Sequence, residues 1–382
     1  MSFFLAFSIF GLAAVIITTK TLVGYTTLKW WVKLGVLLLI AFCWFGNRGL
    51  WHIRQYNWLS TAQFDTISYI AYLGLGFAFI LVSLLLIRDF LWFIGYAFAK
   101  LFKLKCNEKY NPNNNHSLNI ANVITLVLAV ILTGYGMYEA YKLPEVKSIT
   151  IQDKKIIKPI KIVQINDLHI NRKTPVVKID RLVERINSLN ADVIVLVGDI
   201  VDGNPQKIET QMQALSKLKA KHGIYSVLGN HEFYSGLLPW LKHYVKLKLG
   251  PLYNSGVVID NNIHIAGIPD KTINEIKGFS AVDLEQALAR NKNNFYSILL
   301  AHTPNFSEDK LEGVDLQLSG HTHGGQIFPF HHIVKTTNKY LSGLYQEDGY
   351  KIYVSRGTGY WGPPIRLFAP SEITLINLEP EK

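Results

Sequence analysis

Three long runs without a charged side chain lie in the first 142 residues of this 382-residue chain, and they restrict its fold more than any other feature. They cover residues 2–19, 66–87 and 117–138, and each is close to the roughly 20 residues that a helix needs to cross the core of a bilayer. A shorter apolar run at 34–47 is bordered by tryptophans and a lysine that suit a membrane interface. A single such run could equally be a buried helix of a soluble core, but several together predict about four transmembrane helices in residues 1–142.

The N-terminal region also predicts an orientation. The start, MSFFLAFSIF, has no basic residue ahead of its apolar run, so we expect the first helix to be retained and not cleaved as a signal peptide. Lys and Arg are more numerous in the first and third connecting loops than in the second, and the positive-inside rule places such loops in the cytoplasm. We therefore expect a multi-pass membrane protein whose C-terminal part faces outward. If the shorter run at 34–47 did not cross the membrane, the predicted side of the C-terminal part would be reversed.

The chain carries a formal net charge of +11, which could indicate either nucleic acid or membrane surface as a partner. Many of its basic residues lie beside the apolar runs, where they would face anionic lipid head groups. We therefore predict membrane lipids as partners and no nucleic acid. Both cysteines, Cys43 and Cys106, precede residue 143, so the later part of the chain has no thiolate for a metal site or a disulfide.

Residues 158–382 have the pattern of a soluble α/β domain, joined to the apolar region by a charged linker at 143–157 that contains one short β-like run. Apolar runs typical of buried strands alternate with stretches of helical periodicity. This alternation, followed by further strands, predicts stacked sheets with helices outside. The predicted helices are 176–189 and 206–220, and the predicted strands are 161–165, 192–197, 223–228, 257–260, 263–268, 296–301, 315–318, 351–355 and 373–377.

Polar side chains that can bind metal ions follow five of these predicted strands. The carboxyl ends of strands in an open α/β sheet border one crevice, so we expect these side chains to converge. Two of them lie in GHTHGGQ, residues 320–326, where the glycines leave space for both imidazoles to reach a common point. The candidates are Asp167, His169, Asp199, Asn230, His231, His302, His321 and His323.

Carboxylate, imidazole and amide oxygen without a thiolate form a ligand set suited to Mn, Fe or Zn. Gathered without a metal, such groups would leave buried polar atoms poorly paired. Two ions roughly 3.5 to 4 Å apart can hold a phosphate and lower the pKa of a bound water towards 7, provided that one carboxylate bridges them. Asp199, directly after Gly198, is the candidate for that bridge. Each motif alone has an ordinary explanation as a turn, a loop or, at Asn230, a helix N-cap, but their joint occurrence in this order favours a metal site.

These motifs resemble those of the calcineurin-like metallophosphoesterase family. Residues 355–372, SRGTGYWGPPIRLFAPSE, are similar to the tail of its membrane-associated YaeI/YkuE-like phosphodiesterase branch. The resemblance covers about residue 158 to the C-terminus and does not include the apolar region. The motifs that carry it are Asp167-Leu168-His169, Gly198-Asp199 with Asp202, Gly229-Asn230-His231-Glu232, Ala301-His302 and Gly320-His321-Thr322-His323.

The resemblance implies a four-layer α/β/β/α metallophosphoesterase sandwich, here preceded by an all-α transmembrane region, with two divalent metal ions (Mn, Zn or Fe) at the strand ends. It implies that His231 stabilises the transition state or protonates the leaving oxygen, and that Asp202 orients a neighbouring side chain. It assigns Asp167, His169 and His323 to one ion, Asn230, His302 and His321 to the other, and Asp199 to both.

From these patterns we expect a membrane-anchored phosphoesterase that hydrolyses a phosphodiester or pyrophosphate bond, and the tethering favours a lipid-linked substrate. The alternative is a catalytically silent membrane scaffold that uses the fold to bind a partner, against which the intact His231 argues. Two features stay open. His331 and His332 could approach the site or belong to a polar loop, and the loop at 356–366, with Trp361, could line a substrate entrance or cover a sheet edge.

Overall fold

The computed structural model describes residues 3–24, 26–56, 58–104, 115–260, 262–276, 278–292, 295–305 and 311–381, so Cys106 lies outside the described residues. The chain divides into two compact units. One comprises Met1–Tyr138 with Gly362–Leu367, and the other comprises Glu139–Trp361 with Phe368–Lys382. The C-terminal part of the chain therefore contributes one short segment to the first unit.

Long helices make up the first unit: α1 (Phe3–Thr19), α2 (Trp30–Ile53), α3 (Thr61–Leu101) and α4 (Asn115–Tyr141), of which the last three residues group with the second unit. Within the described residues, four helical segments are long and apolar enough to cross a membrane, the first of them extending to Gly24. The predicted transmembrane region is confirmed at this level. The span predicted at 34–47 is longer than expected, because α2 begins at Trp30 and ends at Ile53.

The helical unit directs large apolar side chains outward and pairs polar groups inside. Leu38, Phe90 and Val130 are each 60% exposed or more. Arg88 Nη1 on α3 donates a hydrogen bond of 2.7 Å to Asn122 Oδ1 on α4, and Asn122 Nδ2 donates one of 2.8 Å to the Thr21 carbonyl. Such an apolar exterior with paired interior polar groups is the arrangement that a lipid environment requires.

Two sheets form the second unit in the described part of the chain. The first has the strand order β1-β11-β2-β3-β4, and the second has the order β5-β6-β7-β8-β10-β9. Strands β2, β3 and β4 are parallel neighbours, as are β6, β7, β8 and β10. The strands are β1 (Glu145–Asp153), β2 (Ile160–Ile165), β3 (Val193–Val197), β4 (Ile224–Val227), β5 (Ser255–Ile259), β6 (Ile263–Gly267), β7 (Tyr296–Leu300), β8 (Leu316–Ser319), β9 (Gly343–Gln346), β10 (Lys351–Val354) and β11 (Glu372–Pro380).

Alternate side chains of each sheet enter different apolar cores, which creates four layers. Ile162 and Val195 of the first sheet pack with Ile298 of the second in one core. Val163 and Ile194 face the other way and pack with the helices α5 (Val176–Asn187), α6 (Pro205–Gln213) and α7 (Asn230–Lys246). On the outer face of the second sheet, Leu299 packs with α8 (Leu284–Leu288). The predicted α/β/β/α sandwich is confirmed, and its central strands are continuously apolar because both of their faces are buried.

The structure differs from the predicted elements in several places. The β-like run predicted in the linker is part of β1, which pairs along its whole length with β11. The helix predicted at 206–220 ends at Gln213, where a 3-10 turn follows. Helix α7 was not predicted, because Gly236, at a φ of 109°, and Pro239 interrupt its periodicity. A short helix, α9 (His331–Thr337), carries the histidine pair whose position was left open.

Candidate metal centre

The strand ends bring the predicted ligands together. Three groups of residues have ligand atoms that all lie within 4.8 Å of one another: Asp167 with His169 and His323, His169 with Asp199 and His231, and Asp199 with His302 and His321. The groups share members, so they form one continuous cluster at the ends of β2, β3, β7 and β8 and at the start of α7. The seventh predicted ligand, Asn230, joins it through Oδ1, which lies 3.1 Å from His321 Nδ1.

One side of this cluster comprises Asp167, His169 and His323. The Nε2 atoms of His169 and His323 are 3.0 Å apart, and Asp167 Oδ1 lies 3.7 Å from His323 Nε2. All three side chains are buried. Two imidazole nitrogens and a carboxylate oxygen therefore converge at a buried point, a donor set that suits a divalent ion.

The other side comprises His302, His321 and Asn230. His302 Nε2 lies 3.3 Å from His321 Nδ1, which also faces the amide oxygen of Asn230. His302 Nδ1–H donates a hydrogen bond of 2.9 Å to the Val197 carbonyl. That bond fixes the tautomer and leaves the Nε2 lone pair directed into the cluster, as a metal-binding histidine requires.

Asp199 lies between the two sides. Its Oδ2 is 3.2 Å from His302 Nε2 and 3.9 Å from His169 Nε2, so one carboxylate oxygen faces a member of each group. Its Oδ1 accepts a hydrogen bond of 2.9 Å from the His231 backbone N–H. This is the position in which a carboxylate can bridge two ions.

His231 and Asp202 stand beside the ligands. Asp202 Oδ1 accepts a short hydrogen bond from His231 Nδ1, and its Oδ2 lies 3.2 Å from His169 Nδ1. His231 Nε2 is 4.0 Å from Asp199 Oδ2. Asp202 thus lies against the Nδ1 atoms of both imidazoles, so their Nε2 atoms face the cluster.

Charges in the cluster compensate one another. Burial alone would raise the pKa of Asp199, but His302, His231 and His169 outweigh it and hold that pKa well below its usual value. Burial opposes ionisation of Asp202 as well, yet the two neighbouring histidines lower its pKa strongly. Burial would lower the pKa of His231, but Asp202 and Asp199 raise it to about 9. The carboxylates of Asp199 and Asp202 are therefore kept ionised by positive charge beside them, a role that bound divalent ions can also fill.

Five of the seven predicted ligands have a left-handed backbone. The φ angles of Asp167, His169, Asp199, His321 and His323 lie between 47° and 69°, a region that non-glycine residues seldom adopt. Such conformations cluster at functional sites, where the surrounding structure holds them in place. The ligands therefore leave their strands through sharp turns, which allows residues two apart in sequence to face the same point.

Close packing of these turns explains two of the neighbouring glycines. A Cβ atom at Gly320 would lie 2.2 Å from Asn166 Nδ2 and 2.7 Å from Asp167 Oδ2. A Cβ atom at Gly229 would lie 2.2 Å from Asp199 Oδ1. Only glycine allows the turns to approach the carboxylates this closely, which accounts for the glycines that precede the histidine and asparagine motifs.

Glu232 is a further buried carboxylate, for which the sequence indicated no role, and it supports the backbone at Asp199. Glu232 is fully buried, and its Oε2 accepts N–H groups from Asp199 at 3.0 Å and Gly229 at 2.7 Å. Its Oε1 accepts the N–H of Ile200 at 2.7 Å and the hydroxyl of Tyr244 at 2.9 Å. Glu232 therefore joins the turn that carries Asp199 to the turn that carries Asn230. The only sequence feature that could have indicated this role is its place directly after Asn230 and His231 in the motif.

The structure also answers the two open questions. His331 and His332 lie on α9, where His331 stacks on Phe328 at a ring distance of 5.1 Å, and the metal-ligand groups found among the described residues do not include them. The loop before Gly362 does line the site. Thr358 N–H donates to the Asn166 carbonyl, and the Trp361 ring lies 6.1 Å from that of His231.

Comparison with known proteins agrees with this geometry. A family model described as calcineurin-like phosphoesterase matches residues 160–325. An uncharacterized metallophosphoesterase from Campylobacter jejuni is 32% identical over 385 residues, which is 99% of this chain and 98% of that protein. The metallophosphoesterase YkuE of Bacillus subtilis is 32% identical over 262 residues, 64% of this chain and 89% of that protein.

Similarity extends to a protein with a membrane region. The transmembrane protein with metallophosphoesterase domain from Bos taurus is 34% identical over 278 residues, 68% of this chain and 62% of that protein. Together with the four apolar helices, this supports a membrane protein. The fold implies divalent metal ions, and the carboxylate and imidazole cluster fits them. The chain belongs to the calcineurin-like metallophosphoesterase family, whose members are hydrolases of phosphoester bonds.

Proposed function

We propose that the protein hydrolyses a phosphodiester or pyrophosphate bond of a lipid-linked substrate with two divalent ions at the strand ends. The observation that carries the proposal is the position of Asp199 Oδ2, which faces His302 on one side and His169 on the other. A carboxylate so placed can hold two ions at the separation that phosphoryl transfer needs.

In this proposal, Asp199 bridges the ions. When bound, the two ions would neutralise charge on the phosphoryl oxygens and lower the pKa of a bound water. The ion identity is Mn, Zn or Fe. The terminal ligands are Asp167, His169 and His323 for one ion and Asn230, His302 and His321 for the other.

His231 is the proposed proton donor to the leaving oxygen. Asp202 accepts a hydrogen bond from His231 Nδ1, so the other ring nitrogen, Nε2, is free to face a substrate. Asp202 and Asp199 also favour the protonated imidazole, which is the form that can donate. Asp202 therefore orients the His231 ring, and Asp202 together with Asp199 keeps that ring protonated at neutral pH.

Tethering supports the lipid-linked part of the proposal. A substrate anchored in the same membrane as the four helices reaches the site at a higher effective concentration than a soluble analogue does. We place the protein in a bacterial plasma membrane with the phosphoesterase unit outward, following the distribution of Lys and Arg in the loops.

The test uses full-length protein in lipid nanodiscs with added Mn²⁺. One substrate is a phosphodiester bearing acyl chains and embedded in the nanodisc, and the other is its water-soluble head-group analogue with the same scissile bond. We expect faster turnover of the embedded substrate, and a loss of about 10² to 10⁴-fold in kcat for His231→Asn. Equal rates with both substrates would remove the lipid-linked part. Absence of turnover with Mn²⁺, Zn²⁺ and Fe²⁺ alike would favour the scaffold alternative.

A further inference from the structure

Two aromatic rings flank His231 on its solvent side. Tyr234 follows it by three residues on α7, so the two side chains share one face of the helix, and their rings are 5.5 Å apart. The Trp361 ring approaches from the loop after β10 at 6.1 Å. Tyr234 is 71% exposed and Trp361 is 46% exposed. Large ring surfaces therefore remain accessible next to the proposed proton donor.

The structure holds Trp361 in place before any ligand binds. Gln326, a buried residue directly after the GHTHGG turn, pairs with the Trp361 backbone through both ends of its amide. Trp361 N–H donates to Gln326 Oε1 at 2.9 Å, and Gln326 Nε2 donates to the Trp361 carbonyl at 2.8 Å. A backbone held in this way loses no further conformational entropy on binding, so the contacts of its side chain contribute more fully to affinity.

The residues just before Trp361 are fixed as well. Gly359 N–H donates to the Asp167 carbonyl at 3.0 Å, which anchors the loop on the turn that carries two of the proposed ligands. Tyr360 packs against Tyr141 at a ring distance of 5.8 Å, and Lys178 Nζ lies 5.7 Å from the Tyr360 ring. The loop thus presents Trp361 in one position relative to the strand ends.

We propose that Tyr234 and Trp361 form a subsite for a planar ring carried by the leaving alcohol of the substrate. The inference rests on the proposed function, because the leaving group lies on the side of His231 only if His231 donates the proton. Aromatic side chains recognise bases chiefly by stacking, which needs a flat π surface and no particular hydrogen-bonding edge. A leaving alcohol that carries a nucleobase, or another flat aromatic ring, has the matching chemistry.

The reaction at this subsite balances as a hydrolysis. The water oxygen forms the new bond to phosphorus, and the bond from phosphorus to the leaving oxygen breaks. His231 Nε2–H gives its proton to that oxygen, the water releases one proton to solvent, and solvent reprotonates His231. The products are the ring-bearing alcohol and a phosphomonoester, and no oxidant or further reactant is needed.

The test compares two phosphodiesters that differ only in the ring. One is the 5′-ethyl phosphate of thymidine, and the other carries the abasic tetrahydrofuran analogue in place of thymidine, so their leaving oxygens are chemically matched. With full-length protein and Mn²⁺, we expect kcat/KM to be about 5- to 100-fold higher for the thymidine ester. We also expect thymidine and ethyl phosphate as products, in preference to thymidine monophosphate and ethanol.

Variants assign this preference to the rings. Trp361→Leu, which keeps apolar bulk without a π surface, and Tyr234→Ala should each bring the ratio between the two esters towards one, whereas Trp361→Phe should retain it. Trp58→Ala, which removes a tryptophan that is 72% exposed outside the site, is the matched control and should leave the ratio unchanged. A Trp361→Leu variant that slows both esters equally would indicate a structural role and overturn the proposal.

A binding measurement separates the subsite from the hydrolysis. Equilibrium dialysis of EDTA-treated protein should show weaker thymidine binding for Trp361→Leu than for the unmodified chain. Measurable hydrolysis with a ratio near one, or preference for an ester with a long alkyl alcohol over the thymidine ester, would overturn the subsite and leave the proposed function intact. No hydrolysis of these esters or of the nanodisc-embedded phosphodiester, together with thymidine binding that depends on Trp361, would overturn the proposed function and retain the ring-binding surface.

Discussion

The helical unit and the phosphoesterase unit expose different kinds of side chain, although both have apolar interiors. Phe90 and Val130 on the helices are exposed, whereas Val195 and Leu300 on the strands are fully buried. In the helical unit, polar side chains such as Arg88 and Asn122 lie away from the exterior and pair with each other. The difference shows that each unit is built for its own solvent, lipid in one case and water in the other.

A second contrast concerns how buried polar atoms are satisfied. In the helical unit, Arg88 Nη1 donates a hydrogen bond to Asn122 Oδ1. At the strand ends, groups that can bind metal ions converge: the Nε2 atoms of His169 and His323 are 3.0 Å apart, and Asp199 Oδ2 lies 3.2 Å from His302 Nε2. Self-paired groups stabilise a fold without help, whereas converging lone pairs need protons or cations. Substitutions in each unit can therefore show whether this contrast is functional.

The largest effect is expected at the bridging carboxylate. Asp199→Asn removes the negative charge and one good ligand oxygen from the position between the two groups. Altering residues that only support metal ligands usually lowers affinity or activity about 10- to 100-fold, so the loss of the bridge should exceed about 100-fold in activity. Bound metal, measured by elemental analysis, should fall from two ions to one or none.

Asp180→Asn provides the matched control for that substitution. Asp180 lies on α5 and pairs at the surface with Lys217 Nζ at 2.7 Å. The same change of carboxylate to amide should leave metal content and activity unaltered there. Two bound ions and full activity in Asp199→Asn would contradict the bridging assignment.

The next effect is expected at Glu232. The two carboxylate oxygens of Glu232 each accept two hydrogen bonds, from the N–H groups of Asp199 and Gly229 on one side and from the Ile200 N–H and the Tyr244 hydroxyl on the other. Glutamine has only one acceptor oxygen, so its NH₂ group would face one of these pairs of donors. Glu232→Gln should therefore lower the free energy of unfolding of the phosphoesterase unit by about 2 to 4 kcal/mol. Chemical denaturation followed by tryptophan fluorescence measures it. Glu209→Gln on the exposed face of α6 is the control, and an equal effect in both would refute the supporting role of Glu232.

A smaller effect is expected in the pH profile of Asp202→Asn. Asp202 raises the pKa of His231, and a proton donor loses activity as the pH rises through its pKa. Replacing the carboxylate lowers that pKa, so the alkaline limb of kcat/KM should move to lower pH by about one unit or more. An unchanged alkaline limb, measured over the same pH range in both proteins, would show that His231 is not the titrating donor.

The smallest effect is expected in the helical unit. Asn122→Leu removes one partner of Arg88 and the hydrogen bond to the Thr21 carbonyl. Hydrogen bonds between membrane helices contribute on average about 0.6 kcal/mol, so the unfolding midpoint in detergent should fall only slightly and hydrolysis should persist. Val123→Leu, on the exposed side of the same helix, is the control. A loss of hydrolysis in Asn122→Leu would mean that the polar pair serves more than packing.

The sequence was most informative where a signal is local. Each candidate ligand follows an apolar strand within a few residues, and parallel strands end at a common edge, so convergence of Asp167 with Asp199 on one sheet, and of His302 with His321 on the other, could be predicted without coordinates. Strand β1 was harder to identify, because it is a half-exposed edge strand whose charged residues give it the composition of a linker. Its pairing with β11 joins residues that are far apart in the chain.

Parts of the site that depend on packing between distant turns were not predictable. Nothing near Glu232 indicates that four donors will meet its carboxylate, and the sequence of the loop at 356–366 left open whether Trp361 lines the substrate entrance or covers a sheet edge. Gln326 supplies the connection, and its partner is the backbone of a residue 35 positions later. Such contacts follow from the three-dimensional course of the loops, which periodicity and composition do not specify.

The left-handed turns have a consequence for how these motifs persist over evolutionary time. Asp, Asn, His and Gly are the residue types that tolerate such turns. In a related protein that no longer binds metal ions, most other residues at the positions of Asp167 or His323 would therefore still strain the backbone. Asn230 and His302 do not have this backbone and are held only by their chemistry. Substitution at those two positions should therefore be the earliest mark of a lineage in which hydrolysis has been abandoned.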